Sequence, residues 1–148
     1  MNEQKFHIGI KALIRNAKNE VLVLKANPAE LKGGTPVHWD LPGGRIEKGD
    51  SAFETLKKEV KEELGIDGNL VKVIGLFDAS ISNLKIPLEN EVVGLALFTY
   101  LCNLSDEKAE FTLNAEHTEL KWANIEEAKK LLSFKFSKEF IGKLDSLR

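Results

Sequence analysis

The nine residues "KKEVKEELG", Lys57 to Gly65, put Glu59, Glu62 and Glu63 into the last two turns of a segment with helical periodicity. A helix C-terminus carries partial negative charge, so acids are disfavoured there. Ser51 with Glu54 gives an S-x-x-E start, and Gly65 followed by Ile66 gives a stop with an apolar contact beyond it. At about 100° per residue, Phe53, Leu56, Val60 and Leu64 share one face, which is expected to be buried. The three glutamates fall on one flank of it, Glu63 nearest, and Lys57, Lys58 and Lys61 on the other. Glu59 and Glu63 are like-charged neighbours one turn apart and need a counter-ion. Converging carboxylates are hard donors suited to Mg²⁺ or Mn²⁺, ions that keep water and recruit phosphate oxygens as further ligands. The competing reading is a solvated Glu/Lys face with Glu54–Lys58 and Lys58–Glu62 pairs.

The elements that must position this helix follow from pattern. Alternation at Ile8, Ile10, Ala12 and Ile14 predicts a strand, "NAKN" a turn and "EVLVLKA" a second strand, together a hairpin. Residues 27–38, with two Pro and two Gly, read as a loop. "LVKVIGLF", "EVVGLALFTYLC" and "ELKWA" predict strands, and "AEFTL" a short further one. Asn124 with Glu127 opens a helix at "IEEAKKLL", and Ser137 opens a last one through Leu147. Strands interleaved with one early and two late helices predict a mixed α/β sandwich, and 148 residues suffice for a single domain, 1–148.

Twenty-one Lys and Arg against twenty-three Asp and Glu give a net charge of -2, so no global basic field draws nucleic acid or an anionic membrane. The single cysteine, Cys102, lies in an apolar run and reads as a buried strand thiol. The N-terminal residues lack a signal-peptide pattern and no apolar run approaches a bilayer span, so a cytoplasmic location is expected.

From Gly44 the chain reads "GRIEKGDSAFETLKKEVKEELGI". This resembles the Nudix box, G-x5-E-x7-R-E-U-x-E-E-x-G-U with U aliphatic. Gly44, Glu59, Val60, Glu62, Glu63, Gly65 and Ile66 match in register, and "LPG" resembles the usual lead-in. Asp50 stands where the family has Glu, and Lys58 where it has Arg. Lys lacks the planar two-pronged grip of Arg, which in the family helps to hold a catalytic glutamate. The strand order also looks like the Nudix α/β/α sandwich with a mixed β-sheet.

The resemblance implies an enzyme that hydrolyses the pyrophosphate bond of a nucleoside diphosphate linked to another group, with Mg²⁺, or Mn²⁺ in its place, activating the attacking water. It implies Glu59, Glu62, Glu63 and the Gly44 carbonyl as metal ligands, and a homodimer is compatible with it. The general base is Glu62, Glu63 or a loop carboxylate, for which Glu116 in "NAEHTELKW" is the candidate; His117 beside it reads as a polar loop residue. Lys58 joins Glu62, Glu63 and Glu116 as a catalytic candidate through its place in the box. Lys25 is a candidate for phosphate contact, Arg15 and Arg45 weaker ones, and Trp39 is a candidate for stacking on a base. Trp122, Phe98, Phe111, Phe134 and Phe136 read as packing.

The run of NADH-type relatives is absent, the proline of ADP-ribose enzymes is not in place, and Tyr100 lies too far on to serve as the tyrosine of the bacterial-type diadenosine polyphosphate hydrolases. A nucleoside triphosphate or related nucleotide is the leading expectation. A diadenosine polyphosphate or ADP-ribose is the alternative, and a nucleotide-binding sensor without turnover is the alternative of another class. An mRNA decapping enzyme would need a basic RNA path, which the charge balance does not supply.

Overall fold

A computed structural model describes residues 3–148. Strand β1 (Phe6–Arg15) turns back through Asn16 to Glu20, where Asn16 Oδ1 accepts from the Lys18 and Glu20 N–H groups and Asn19 takes the left-handed conformation. Strand β2 (Val21–Ala26) follows, but the expected hairpin exists only at its base, where Arg15 pairs with Val21. Beyond that pair the strands splay into a V. β3 (Trp39–Asp40) pairs with β2 along one arm, β4 (Gly43–Arg45) with β1 along the other, and "LPG" plugs the crotch. Leu41 there is fully buried, and the Ala12 N–H donates to the Pro42 carbonyl at 2.8 Å.

The rest of the sheet grows outward from the V. β7 (Val92–Leu104) runs parallel to β1, from Phe6 opposite Gly94 to Arg15 opposite Asn103. β5 (Val71–Ile81) and the short β6 (Ile86–Pro87) lie antiparallel to β7, and β8 (His117–Ala123) antiparallel to β2. The result is an eight-stranded mixed sheet with the path β3-β2-β1-β7-β5. Alternation assigns its faces. Ile10, Ala12, Ile14, Leu22 and Leu24 pack under Leu56, Val60 and Leu64 of α1 (Ala52–Leu64). Leu13, Val21 and Val23 pack under Ala128 and Leu132 of α2 (Ile125–Leu132), under Phe136 of the connection that follows it, and under Phe140 of α3 (Lys138–Lys143). This is the expected α/β/α sandwich.

The helix ends follow their caps. Ser51, Asn124 and Ser137 each accept from a backbone N–H three residues on, and Gly65 closes α1 in the left-handed conformation. The last helix ends at Lys143 and tightens into a 3₁₀ turn, Leu144–Leu147. Cys102 is buried, and burial pushes its thiol up to about 12. Two expectations are corrected. Phe53 is 51% exposed, its ring edge-on to Tyr100 rather than in the core. "AEFTL" forms no strand, because its backbone caps the helix instead: the Thr112 N–H donates to the Leu64 carbonyl. Among the described residues no helix is long and apolar enough to cross a membrane.

Candidate active site

The C-terminal half of α1 lies against the crotch of the V, and two glycines permit the approach. Gly43 has φ 146° and its N–H donates to Glu63 Oε1 at 2.7 Å; a Cβ there would sit 2.0 Å from the Ile10 carbonyl oxygen. At Gly44 a Cβ would stand 2.5 Å from Glu59 Cδ. The obstacle differs in kind, backbone in one case and the tip of a flexible side chain in the other. Gly43→Ala is therefore expected to destabilise the fold. Gly44→Ala is expected to keep the wild-type melting temperature while displacing Glu59, seen as a weakened response to divalent cation in thermal unfolding.

Burial pushes the Glu63 carboxyl up to about 8, against the pull of Lys11 and the Gly43 hydrogen bond. Burial and the neighbouring Glu62 and Glu116 push Glu59 up to about 7. Glu62 itself is exposed. The loop before β8 brings in two further groups. Glu116, held by its carbonyl to the Asn27 N–H and by its N–H to Asn114 Oδ1, meets Glu63 and His117 so that one donor atom of each lies within 4.8 Å of the others. His117 is thus not the polar loop residue expected from sequence. It is the first residue of β8, with a nearly buried side chain, Nδ1 3.7 Å from Glu63 Oε2. Burial lowers its pKa, so the contact joins a neutral imidazole to a carboxyl that resists ionising.

The donor set fits a divalent cation on two counts. His117 Nδ1 is buried without a hydrogen-bond partner, which is costly unless an acceptor site is filled. Burial first, and neighbouring carboxylates second, raise Glu63 and Glu59, and a cation would favour their ionised forms. Glu63, Glu116 and His117 could hold it directly; Glu59 and the Gly44 carbonyl flank them, and Glu62 adds charge.

Two clefts meet at these groups. One, about 680 Å³, is lined by Phe6, Ile8, Gly44, Arg45, Glu59 and Glu116 among others. The second, about 650 Å³, is lined by Lys11, His38, Asp40, Glu63, His117 and Lys135 among others. Gly43, Arg45 and Glu116 belong to both. Arg45 faces both clefts, its Nη1 2.9 Å from His7 Nδ1. Lys25 and Trp39 line neither cleft. They are register partners on the face of β2 and β3 toward α2, where Lys25 meets Glu119 at 3.5 Å and Trp39 packs beneath Lys121. Arg15 is also remote, bonded to Asn19. Lys58 meets Asp50 at 2.7 Å rather than a box glutamate, so the two departures from the box are each other's partners.

A buried network missing from the sequence reading floors the second cleft. Lys11 Nζ lies 3.1 Å and Lys135 Nζ 2.5 Å from Asp40 Oδ2. Burial alone would raise the Asp40 carboxyl, but the two ammoniums outweigh it and hold it well below the usual carboxylate range.

Comparison with known proteins finds relatives over nearly the whole chain. The family described as NUDIX domain matches residues 5–144. The Sus scrofa protein bis(5'-nucleosyl)-tetraphosphatase [asymmetrical] is 30% identical over 98 residues, which are 66% of this chain and 63% of that protein. The chain therefore spans a little under two thirds of that curated relative. The crystal structure of MutT protein from Methanosarcina mazei Go1 is 25% identical, with 99% of this chain and 96% of that one covered and a TM-score of 0.63. The E. coli dihydroneopterin triphosphate pyrophosphohydrolase shares the fold at a TM-score of 0.71 and 19% identity, with 97% of each chain covered.

Proposed function

The chain belongs to the NUDIX family, and we propose that it hydrolyses a pyrophosphate bond in a nucleoside diphosphate linked to another group, foremost a nucleoside triphosphate or related nucleotide. The observation that carries the reading is the meeting of Glu63, Glu116 and His117 beside Glu59, where two sizeable clefts join. A bound Mg²⁺ or Mn²⁺ would screen the phosphate oxygens, stabilise the leaving phosphate and acidify the attacking water.

The chain's own groups do the rest. Glu63, fixed by the Gly43 N–H, and Glu59, against Gly44, hold the cation's charge in place. Glu116, exposed at the junction of both clefts, accepts the proton of the attacking water. Arg45, facing both clefts, binds a phosphate of the substrate. Lys58 acts on the far side of α1, where its pairing with Asp50 ties the loop before the helix to the helix itself.

A second reading, a dinucleoside polyphosphate substrate, rests on one feature: the carboxylates are flanked by two clefts of similar size rather than by one. Chromatographic identification of the products formed with Mg²⁺ from nucleoside triphosphates, dinucleoside polyphosphates and ADP-ribose separates these readings. The expected result is turnover of at least one class. Binding without turnover of any class would instead assign a nucleotide sensor.

A further inference from the structure

The two clefts differ in their floors. Only the second has buried cations, and its hydrogen bonds do not close. Asp40 Oδ1 accepts from the Leu41 N–H at 2.7 Å, and Oδ2 receives both ammoniums. Lys11 also donates to the Leu41 carbonyl at 3.3 Å. An ammonium has three donors, so Lys11 keeps one spare and Lys135 two among the described residues. Both ammoniums pair directly with the same Asp40 oxygen, and Glu63, whose ionisation burial resists, lines the same cleft and pulls on Lys11 rather than pairing with Lys135. Lys11 and Asp40 already form a complete neutral pair on adjoining arms of the V. Lys135 comes from the connection between α2 and α3, 95 residues from Asp40, and its head is nearly buried at the cleft floor. A tether alone would not need a second buried charge, since an apolar side chain would hold that connection at lower desolvation cost.

We propose that Lys135, with Lys11 beneath it, forms a phosphate subsite in the second cleft that takes a phosphate of the substrate beyond those at the bond that breaks. The choice of phosphate rests on the hydrolase reading; the need for an oxyanion rests on the spare donors and on Lys135 sharing a carboxylate that Lys11 already pairs. Phosphate oxygens are strong acceptors for ammonium donors, and a third or later phosphate of the chain would complete both counts. The subsite thus favours longer phosphate chains over a diphosphate joined to an uncharged group. Burial lowers the Lys135 pKa against the pull of Asp40, whereas at Lys11 burial is outweighed by Asp40, Glu63 and Glu59 and the pKa is raised, so Lys135 is the less compensated of the two cations.

The test is calorimetric titration of the full chain with inorganic tripolyphosphate in EDTA, where no metal can hold the anion and no turnover occurs. Wild type binds, and Lys135→Met, which leaves the neutral Lys11–Asp40 pair intact, weakens binding about tenfold or more, the effect of losing a hydrogen bond to a charged group. Lys135→Arg retains binding, and Lys130→Met, an exposed change on α2, matches wild type. Lys135→Gln replaces the Met variant if thermal unfolding shows that variant unfolded. The proposal is overturned if wild type does not bind tripolyphosphate, if loss of the Lys135 charge leaves binding unchanged, or if Lys130→Met weakens it equally. Failure of every nucleotide in the turnover panel would sink the hydrolase reading without altering this result.

Discussion

Glu63→Gln is expected to give a folded protein that has lost turnover. Glutamine keeps an oxygen to accept the Gly43 N–H, so α1 stays docked in the crotch of the V. What disappears is the ability to become an anion facing Glu116 and His117. Loss of a residue with an acid–base or charge role at the reacting centre lowers rates by about 10²- to 10⁴-fold, and a fall in kcat of that size is expected. Stability should move the other way. Because burial raises this carboxyl, ionising it at neutral pH opposes folding, so the metal-free variant should melt no lower than wild type. A variant that unfolds early, or one that turns over normally, would contradict the assignment of Glu63.

Asp40→Asn is expected to have the opposite signature, a large loss of stability. Removing the carboxylate leaves Lys11 and Lys135 buried without their shared counter-ion, and breaking a buried pair in this way costs about 3–5 kcal/mol. For a chain of this size that corresponds to a fall in melting temperature of roughly 6–20 °C. The pH dependence follows from the direction of the shift. Asp40 is held below its unfolded value, so its contribution is fully present above about pH 4, the ordinary aspartate value, and fades as pH falls through the folded one. Thermal unfolding of both proteins from pH 7 to pH 3 should show the gap narrowing with acid. A constant gap would mean that the ion pairs are not its source.

Much of the site was legible because it lies on one helix. Ser51 and Gly65 fix the ends of α1, and the i, i+4 spacing of Glu59 and Glu63 does the rest. Glu116 was legible only as a likeness between loops, and His117 was undervalued because nothing local shows that a bulge between Lys25 and Ala26 leads β8 to start at the crotch. Lys25 and Trp39 were misplaced by strand parity: both fall on the face covered by α2, while the neighbouring Asp40 reaches the cleft. The Lys11–Asp40–Lys135 network could not be read in advance. Lys11 in "IGIKALI" has the pattern of a solvated strand position, and its partners lie 29 residues away and on the connection between the late helices. The splayed hairpin was hidden for a related reason: alternation predicts two strands but not that two inserted short strands will divide them.

On the proposed reading, the acids crowding the end of α1 form a cation site, their mutual repulsion relieved when the ion binds. Thermal unfolding of wild type and Glu59→Gln, each with EDTA and with saturating Mg²⁺, tests it most directly, because a ligand bound only by the folded state raises stability by mass action. The expected result is a clear rise in melting temperature for wild type and loss of most of that rise in Glu59→Gln. An unchanged wild-type melting temperature, or an equal rise in the variant, would contradict it.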